Sequence, residues 1–378
     1  MVYLDNSATT AVCRDAVERM TRVMTEQYGN PSSLHTFGID AQREVAQARG
    51  EVAALIGAKS EQVVFVSGGT EANNIAILGG AEARTRQSHT AVTTAIEHPS
   101  VSACFDRLEA QGWTVVRVQP ESDGSISPEA IERVCTPETT LVSAMTVNNE
   151  TGALLDIPAI VSRVRRKSPR ALIHTDAVQA AGKIPLRAEK WGVDLLSVSS
   201  HKLHGPKGVG ALYIRKGVRV LPRIFGGGQE NGLRSGTEPV PAIAGFGAAA
   251  AAVPALAEQA QWYETLKACL LEELGSHPDV RFHMPAGGVP YIVNLSLVGF
   301  RSETVLHFLA QRGIFVSSGS ACAKGKHSAV LTAMGLPSAE IDSSLRISFC
   351  RDNTNEEIRA LCEVLREAVQ TLQRRQVR

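Results

Sequence analysis

A lysine in a polar loop between two apolar runs is the first residue whose surroundings suggest chemistry. Lys202 follows the apolar run 195–199 and precedes the apolar run 211–214, with glycine and proline between them. An amine becomes a good nucleophile toward an aldehyde when burial or a nearby cation lowers its pKa. We therefore expect Lys202 to carry pyridoxal phosphate as a Schiff base. The alternative is an ordinary exposed loop lysine, because most lysines are exposed.

A glycine-rich turn earlier in the chain could hold the phosphate of such a cofactor. Gly69 and Thr70 follow the apolar run 63–67 and open a helical pattern. Glycine lets the backbone approach an anion, and a helix N-terminus offers free N–H groups. A plain turn with Thr70 as the helix cap is the alternative.

Asp176 is a carboxylate at the end of a mostly apolar run, and a buried carboxylate needs a partner. The protonated nitrogen of a pyridine ring is such a partner, and this pairing makes pyridoxal phosphate an electron sink. Gln179 lies about one helical turn further on and could reach the ring hydroxyl. The other interpretation of Asp176 is a helix N-cap.

Two more polar residues follow apolar runs in the same way. His98 could stack on a flat cofactor and move protons. Asn149 could donate a hydrogen bond to a cofactor oxygen or to a substrate carboxylate. The alternatives are a capping histidine at His98 and simple turn formation before Gly152.

Strands must position these residues, and the sequence indicates seven of them. Short apolar runs alternate with helical patterns at 63–67, 90–94, 114–118, 141–145, 172–175, 195–199 and 211–214. This alternation predicts an α/β domain with a mainly parallel seven-stranded sheet that is covered on both faces. Ligands of such sheets bind beyond the carboxyl ends of the strands, which is where the polar residues fall.

The pattern changes after Pro239. One long Ala-rich helix is predicted over 241–274. Shorter elements are then predicted as strands at 291–297 and 345–349 and as helices at 303–311 and 355–373. These elements predict a smaller α+β domain, joined to the first by the long helix. We place the large domain at 14–258 and the small domain at 1–13 and 259–378.

Composition excludes several classes of protein. The chain has 378 residues, 44% of them hydrophobic, and a net charge of +1, so charge does not indicate a nucleic-acid or membrane surface. The N-terminus lacks a basic and then apolar signal pattern. The seven cysteines are scattered, without a Cys-x-x-Cys pair, which argues against a disulfide framework and a cysteine-based zinc site. We expect a cytoplasmic protein with no metal site.

Four functional residue types follow one another along the chain in the order phosphate turn, histidine, aspartate and lysine. By this order the chain resembles the class V aminotransferase-like enzymes. These belong to the fold-type I pyridoxal-phosphate-dependent transferases. Within them the chain resembles the cysteine desulfurases of the nitrogen-fixation and iron–sulfur-assembly type. The resemblance begins at 3–10 (YLDNSATT), continues through 29–35 (GNPSSLH) and reaches the last helix. Its most specific part is 200–208 (SHKLHGPKG).

The resemblance implies roles that the residues alone leave open. Lys202 would move the substrate Cα proton, and His98 would stack on the ring and relay protons. The phosphate would be held by Gly69, Thr70, Ser199 and His201. Asn149 and Arg346 would bind the substrate carboxylate, Arg346 through a bidentate pair.

A cysteine in a small-residue loop would complete the chemistry. Cys322 lies in 317–326 among serine, glycine and alanine, which suit an exposed loop, and a reactive thiolate needs exposure and positive surroundings. An inert thiol is the alternative. The resemblance implies that Cys322 takes sulfur from L-cysteine as a persulfide, leaving L-alanine. The sulfur would pass to an acceptor protein for iron–sulfur cluster assembly or for thiolation of tRNA or a cofactor.

The resemblance also implies a homodimer. Thr237, in the segment 234–237, would reach the phosphate in the neighbouring subunit. Three other functions share many of these features: a selenocysteine lyase, another class V enzyme such as a small-substrate transaminase, and a catalytically silent scaffold that recruits sulfur-carrier proteins. The scaffold would have no use for the set of Asp176, Lys202 and Cys322.

Overall fold

A computed structural model describes residues 1–318 and 327–374, and its centre is a seven-stranded sheet. A short N-terminal strand, β1 (Val2–Tyr3), lies outside this sheet. The central strands are β2 (Val63–Val66), β3 (Thr90–Thr94), β4 (Thr114–Val118), β5 (Leu141–Ser143), β6 (Leu172–Asp176), β7 (Leu195–Ser199) and β8 (Gly210–Ile214). Their order is β2-β8-β7-β6-β5-β3-β4, and β8 runs antiparallel to both neighbours while the others are parallel. The predicted seven-stranded, mainly parallel sheet is therefore confirmed.

Apolar side chains on both faces explain why these runs form buried strands. Every residue of β7 is buried. Leu195 packs into one hydrophobic cluster, whereas Leu196 and Val198 pack into another, because successive strand side chains point to opposite faces. Full burial of each such side chain contributes roughly 1.5–3 kcal/mol. The sheet is therefore held in place by layers on its two sides, and only its strand ends remain open to a ligand.

Helices in the first part of the chain surround the sheet. Their bounds are α1 (Arg14–Thr25), α2 (Thr36–Ile56), α3 (Gly69–Asn74), α4 (Gly80–Glu82), α5 (Pro99–Ala110), α6 (Pro128–Val134), α7 (Ile157–Lys167) and α8 (Ala188–Trp191). Helices α3 and α4 are continuous through a wider π-helical turn at Ile75–Gly79. Side chains cap α5, α6 and α7 at their N-termini: His98, Ser127 and Asp156 each accept from a backbone N–H of the first turn.

The predicted single helix after Pro239 is wrong, because the structure has two helices there. Helix α9 spans Val240–Ala251 and α10 spans Leu256–Leu274, and they meet at an 82° bend. Pro254 lies in the break, where its ring and missing N–H prevent a continuous helix. Small residues let α9 pack closely on α2, since a Cβ added to Gly247 would lie 2.6 Å from the Cα of Ala48.

The described residues contain no single helix that is both long enough and apolar enough to cross a membrane. Helices α9 and α10 reach the required length and composition only when taken together across their bend.

A second, antiparallel sheet follows in the chain. Its strands are β9 (Val280–Phe282), β10 (Ile292–Leu297), β12 (Ser317–Ser318) and β13 (Ser344–Ser348), in the order β12-β13-β10-β9, while β11 (Ile314–Phe315) pairs with β1. The helices here are α11 (Ser302–Ala310), α12 (Ala329–Ala333), α13 (Ser338–Asp342) and α14 (Asn355–Thr371). The two sheets lie on opposite sides of the predicted boundary near residue 258, and the boundary itself stays a prediction.

The N-terminal segment connects the two sheets. After β1, the backbone N–H of Ser7 donates to the Oγ of Ser348 on β13, at 2.8 Å. Three residues later, the N–H of Thr10 donates to the carbonyl of His201, in the loop that follows β7, at 2.9 Å. The hydroxyl of Thr10 accepts from the N–H of His204, a residue with a positive φ of 66°. Residues 5–10 therefore lie across the loop that contains Lys202.

Candidate active site

A pocket of about 230 Å³ lies beyond the carboxyl ends of the parallel strands. Since β8 is the one antiparallel strand of the central sheet, the carboxyl ends of the other six lie at the same edge. The residues that line the pocket follow β2, β3, β5, β6 and β7. They are Gly69, Thr70, Asn73, His98, Ser100, Met145, Asn149, Asp176, Val178, Gln179, Ser199, His201 and Lys202.

The carboxylate of Asp176 is held in place at the end of β6. The residue is 5% exposed. Its Oδ2 accepts from the Nδ2 of Asn73 at 2.7 Å, and its Oδ1 accepts from the N–H of Val178 at 2.9 Å. Each carboxylate oxygen has a further acceptor position. Asp176 can therefore receive one more donor from the pocket, such as a protonated ring nitrogen.

His98 stands on the other side of the pocket, as the N-cap of α5. Its Nδ1 accepts from the N–H of Ser100 at 3.2 Å and lies 2.8 Å from the hydroxyl of that serine. The residue is exposed at the pocket wall, yet enough protein surrounds the ring to lower its pKa, because desolvation outweighs the attraction of Asp176. Lys202 lowers the pKa further. His98 is therefore a neutral imidazole near pH 7.

The amine of Lys202 lies against backbone carbonyls of the N-terminal segment. Its Nζ donates to the carbonyl of Ser7 and, at 2.8 Å, to that of Ala8. The Nε2 of Gln179 donates to the same Ser7 carbonyl at 2.9 Å. Among the described residues the Oε1 of Gln179 has no hydrogen-bond partner, although it is buried, and an unpaired buried acceptor is costly. A donor from a bound group, such as a ring hydroxyl, would satisfy it.

Gly69, Thr70, Ser199 and His201 line the same pocket. Gly69 has no room for a side chain, because an added Cβ would lie 2.8 Å from the Cγ2 of Val178. Burial, together with the nearby charges of Lys202 and Lys207, lowers the pKa of His201 to about 4. The His201 imidazole is therefore neutral near pH 7, and it acts as a hydrogen-bonding group rather than as a cation.

A buried acid lies behind His98. Thr94 and the N–H of Met145 both donate to the Oε1 of Glu97, at 2.8 Å each. Complete burial raises the pKa of Glu97 to about 8. The side chain is therefore mainly protonated at pH 7 and adds little negative charge beside Asp176.

Arg346, on β13, lies next to the pocket without lining it. One terminal nitrogen donates to the carbonyl of Asn149 at 2.9 Å, and the other forms an ion pair with Asp5 at 2.7 Å. Its Nε is buried and has no partner within residues 1–318 and 327–374. Asn149 itself lines the pocket. A substrate carboxylate would therefore meet Arg346 beside Asn149 and would share the guanidinium with Asp5.

The sequence of this chain matches a known family over almost its whole length. The family described as aminotransferase class-V matches residues 2–361. The chain belongs to the class V aminotransferases. Relatives within this family carry the name cysteine desulfurase. One from Nostoc sp. is 42% identical over 377 residues, which cover 98% of this chain and 94% of that protein. Cysteine desulfurase IscS from Methanosarcina thermophila is 40% identical over 375 residues, which cover 98% of this chain and 92% of that protein.

Solved structures agree with this membership in the class V aminotransferases. A NifS-like protein superposes with a TM-score of 0.93 at 38% identity, covering 98% of this chain and 100% of that one. SspA in complex with cysteine superposes with a TM-score of 0.82 at 33% identity, covering 92% of this chain and 99% of that one. The predicted family and fold class are therefore confirmed.

The pocket of this class V chain fits pyridoxal phosphate by its donor set. The unpaired Oε1 of Gln179 and the open acceptor positions of Asp176 suit a ring hydroxyl and a protonated ring nitrogen. The amine of Lys202 lies in the same pocket, and Gly69 keeps the backbone of its turn accessible to a phosphate. The polar residues at the strand ends predict this convergence on one pocket, and their roles toward the cofactor stay predictions.

Two of the predicted site residues that the structure describes do not line the pocket. Thr237 is exposed, and its assignment to the site of a neighbouring subunit stays a prediction. Arg346 lies behind Asn149. Cys322 falls outside the described residues, so its role stays a prediction.

The sequence reasoning missed two side chains that lie between the predicted residues. Asn73 and Ser100 both line the pocket and contact Asp176 and His98. Asn73 belongs to the glycine-rich stretch that indicated the phosphate site, but its burial on α3 is visible only in the structure. The two backbone carbonyls that accept from Lys202 had no signal in the residue types.

Cys350 is buried, but it also has polar neighbours. Potential ligand atoms of His204, Cys350 and Asp352 lie within 4.8 Å of one another. The Nδ1 of His204 is 3.0 Å from the carbonyl of Ala11, and Asp352 is exposed. We assign no metal to this group, since an exposed carboxylate near two other ligand types does not by itself indicate an ion.

Proposed function

We propose that this chain is a pyridoxal-phosphate-dependent cysteine desulfurase, which converts L-cysteine to L-alanine and collects the sulfur on Cys322 as a persulfide. The observation that carries the proposal is the convergence of Lys202, Asp176, Gln179 and His98 on one pocket. The chain is also similar over nearly its full length to proteins named cysteine desulfurase, and to a structure solved in complex with cysteine.

Three residues of the pocket have tasks that follow from their contacts. Pyridoxal phosphate, when bound, supplies an aldehyde for an amine and a ring that withdraws electrons from the substrate Cα. Asp176 would hold the proton on the ring nitrogen. Lys202 would hold the aldehyde and would take the proton from the substrate Cα. His98 would cover the ring and, as a neutral imidazole, could accept and return a proton.

Sulfur transfer needs a second nucleophile besides Lys202. The thiolate of Cys322 attacks the substrate sulfur, so that an S–S bond forms while the Cβ–S bond breaks. The electron pair of the broken bond stays with the substrate carbon, which gains a proton and leaves as alanine. A second thiol, from an acceptor protein, then removes the outer sulfur from Cys322.

The enzyme acts as a homodimer in this proposal. Thr237 is exposed in its own chain, and Phe225, twelve positions earlier, is 81% exposed. The stretch 225–237 is fixed to the rest of the chain, since Glu230 forms an ion pair with Arg49 at 2.6 Å, and Arg234 forms one with Glu71 at 3.0 Å. A stretch that is fixed by ion pairs and presents an exposed aromatic side chain suits a contact with a second copy of this chain.

The acceptor and the compartment complete the proposal. The acceptor is a protein of iron–sulfur cluster assembly or of tRNA or cofactor thiolation. The cysteines of the described part of the chain are all free thiols, which suits the reducing conditions of a cytoplasm.

The test of the proposed function is product analysis with L-cysteine as the only substrate. The purified protein loaded with pyridoxal phosphate should release alanine, and sulfide when a thiol reductant is present, without any keto acid. Turnover of selenocysteine but not of cysteine would identify a selenocysteine lyase instead. A requirement for a keto acid would identify a transaminase, and a protein that pyridoxal phosphate never turns yellow would be a scaffold.

Substitution of Arg346 should weaken substrate binding. Arg346→Lys keeps the charge but loses the planar pair of donors, so the KM for cysteine should rise about tenfold with little change in kcat. Steady-state kinetics would measure both constants. The matched control is Arg351→Lys, because Arg351 donates to the carbonyl of Ala252 away from the pocket. An unchanged KM in Arg346→Lys would contradict the assigned role.

A further inference from the structure

A continuous set of hydrogen bonds joins the two sides of the pocket. The Nδ2 of Asn73 donates to the Oδ2 of Asp176 at 2.7 Å and to the hydroxyl of Ser100 at 2.9 Å. The same hydroxyl lies 2.8 Å from the Nδ1 of His98. Asn73 is completely buried. The carboxylate and the imidazole are therefore connected through two side chains that have no task in the proposed reaction.

The chemistry of the partners gives each hydrogen bond a direction. An amide NH₂ has two donors, which matches the two acceptors that face Asn73. The reverse orientation would place the amide oxygen against the carboxylate of Asp176. Because the Ser100 hydroxyl accepts from Asn73, its own proton can point to the Nδ1 of His98. The backbone N–H of Ser100 donates to the same nitrogen at 3.2 Å, so the ring proton of neutral His98 is on Nε2.

One cost of this arrangement is visible in the structure. The Oδ1 of Asn73 is buried and has no hydrogen-bond partner in the part of the chain that the structure describes. An unpaired buried carbonyl oxygen is destabilising, and a leucine of similar size would avoid it. The asparagine therefore contributes through its two donors rather than through its packing.

The network links three separate elements of the fold. Asp176 ends β6, His98 and Ser100 lie at the start of α5, and Asn73 lies on α3, which begins at the phosphate turn of Gly69. Side chains on separate elements move relative to one another unless something connects them. From α3, the helix that begins at the phosphate turn, Asn73 connects Asp176 to His98. Asp176 is the group expected beside the ring nitrogen, and His98 is the group expected over the ring face.

We propose that Asn73 and Ser100 are positioning residues, which hold the Asp176 carboxylate and the His98 imidazole as one hydrogen-bonded unit and keep the ring proton of His98 on Nε2. The benefit for catalysis rests on the proposed function, whereas the network itself belongs to the protein without cofactor. Loss of the Ser100 hydroxyl leaves the backbone N–H of Ser100 as the donor to the Nδ1 of His98. Loss of Asn73 frees the Ser100 hydroxyl to turn and also removes a donor from Asp176.

The titration of His98 reports the network directly. The charged groups that face it are the carboxylate of Asp176 and the amine of Lys202, and the adjacent Glu97 is mainly neutral at pH 7. With Asn73 present, the Ser100 hydroxyl is committed to donating to Nδ1, which opposes protonation of that nitrogen. Without this donor the pKa of His98 should rise by about one pH unit.

The experiment compares Ser100→Ala and Asn73→Leu with two matched controls. The controls are Asn74→Leu, whose amide donates to the carbonyl of Thr70, and Ser102→Ala, whose hydroxyl donates to the carbonyl of Pro99. Nitrogen-15 NMR of histidine-labelled apoprotein follows the two ring nitrogens of His98 against pH. Ser100→Ala removes a single oxygen atom, so this variant decides the outcome if Asn73→Leu does not fold.

Binding of pyridoxal phosphate gives a second readout. Asn73→Leu should weaken its affinity on the order of tenfold, since Asp176 loses a hydrogen bond to a charged oxygen, and should shift the pH at which the bound chromophore changes absorption. The controls should match the wild type. A His98 titration and cofactor absorption identical to the wild type in Ser100→Ala and Asn73→Leu would overturn the inference. Wild-type protein that binds no pyridoxal phosphate would instead overturn the proposed function, and the apoprotein titration would still decide the network.

Discussion

Lys202→Ala should lose turnover of cysteine by on the order of 10³-fold or more, because one side chain both binds the cofactor aldehyde and moves the Cα proton. The variant should also lose the covalent link to the cofactor. Borohydride reduction of wild-type protein should fix the cofactor on the peptide that contains Lys202, and mass spectrometry should find none on that peptide in the variant.

The control for this experiment is Lys207→Ala. Lys207 is exposed five positions further along the same loop and does not line the pocket. Its substitution should leave the covalent labelling intact. Full labelling of Lys202→Ala protein at another residue would show that the cofactor is joined elsewhere, and the assignment of the site would then be wrong.

Cys322→Ser should separate substrate binding from sulfur transfer. The variant retains the pocket, so addition of cysteine should still change the absorption of the bound cofactor. A hydroxyl is a far weaker nucleophile than a thiolate toward sulfur, so alanine formation should fall by about 10²-fold or more and no persulfide should be detected on the protein.

Cys13→Ser is the matched control for the thiol. Cys13 is partly exposed at the N-cap of α1, where serine is at least as suitable, and it does not line the pocket. This variant should form alanine and persulfide at the wild-type level. Normal alanine output from Cys322→Ser would refute the role of Cys322, whereas equal losses in both variants would indicate a general effect of removing a thiol.

The part of the fold that could be predicted is the part in which one run of residues determines its own structure. Strands β6 and β7 were predictable because apolar side chains occupy both of their faces. A polar residue at or just after the end of such a strand is then expected at the ligand-binding edge of the sheet. The sequence singled out Asp176 and Lys202 for this reason, and both line the pocket. Their convergence follows from the parallel arrangement of the strands.

Structure that depends on distant partners was not predictable in the same way. Strand β12 consists of two serines, and it exists because Ser317 and Ser318 pair with β13. The carbonyl of Ser7 contacts Lys202 across 195 positions, and a backbone carbonyl has no signature in the residue type. Asn73 lies just before the π-helical turn at Ile75–Gly79, where the regular helical period is interrupted, so periodicity could not show which way it faces.

The segment 5–10 also determines when the protein can become active during its synthesis. Ser7 is bonded to Ser348, and β1 pairs with β11 more than three hundred positions later. A contact between distant residues cannot form until the second of them has been made. The lysine loop therefore cannot obtain its covering segment in its final form until residue 348 has been synthesised. A site that is completed by such a contact forms late, after the strands of both sheets have been made.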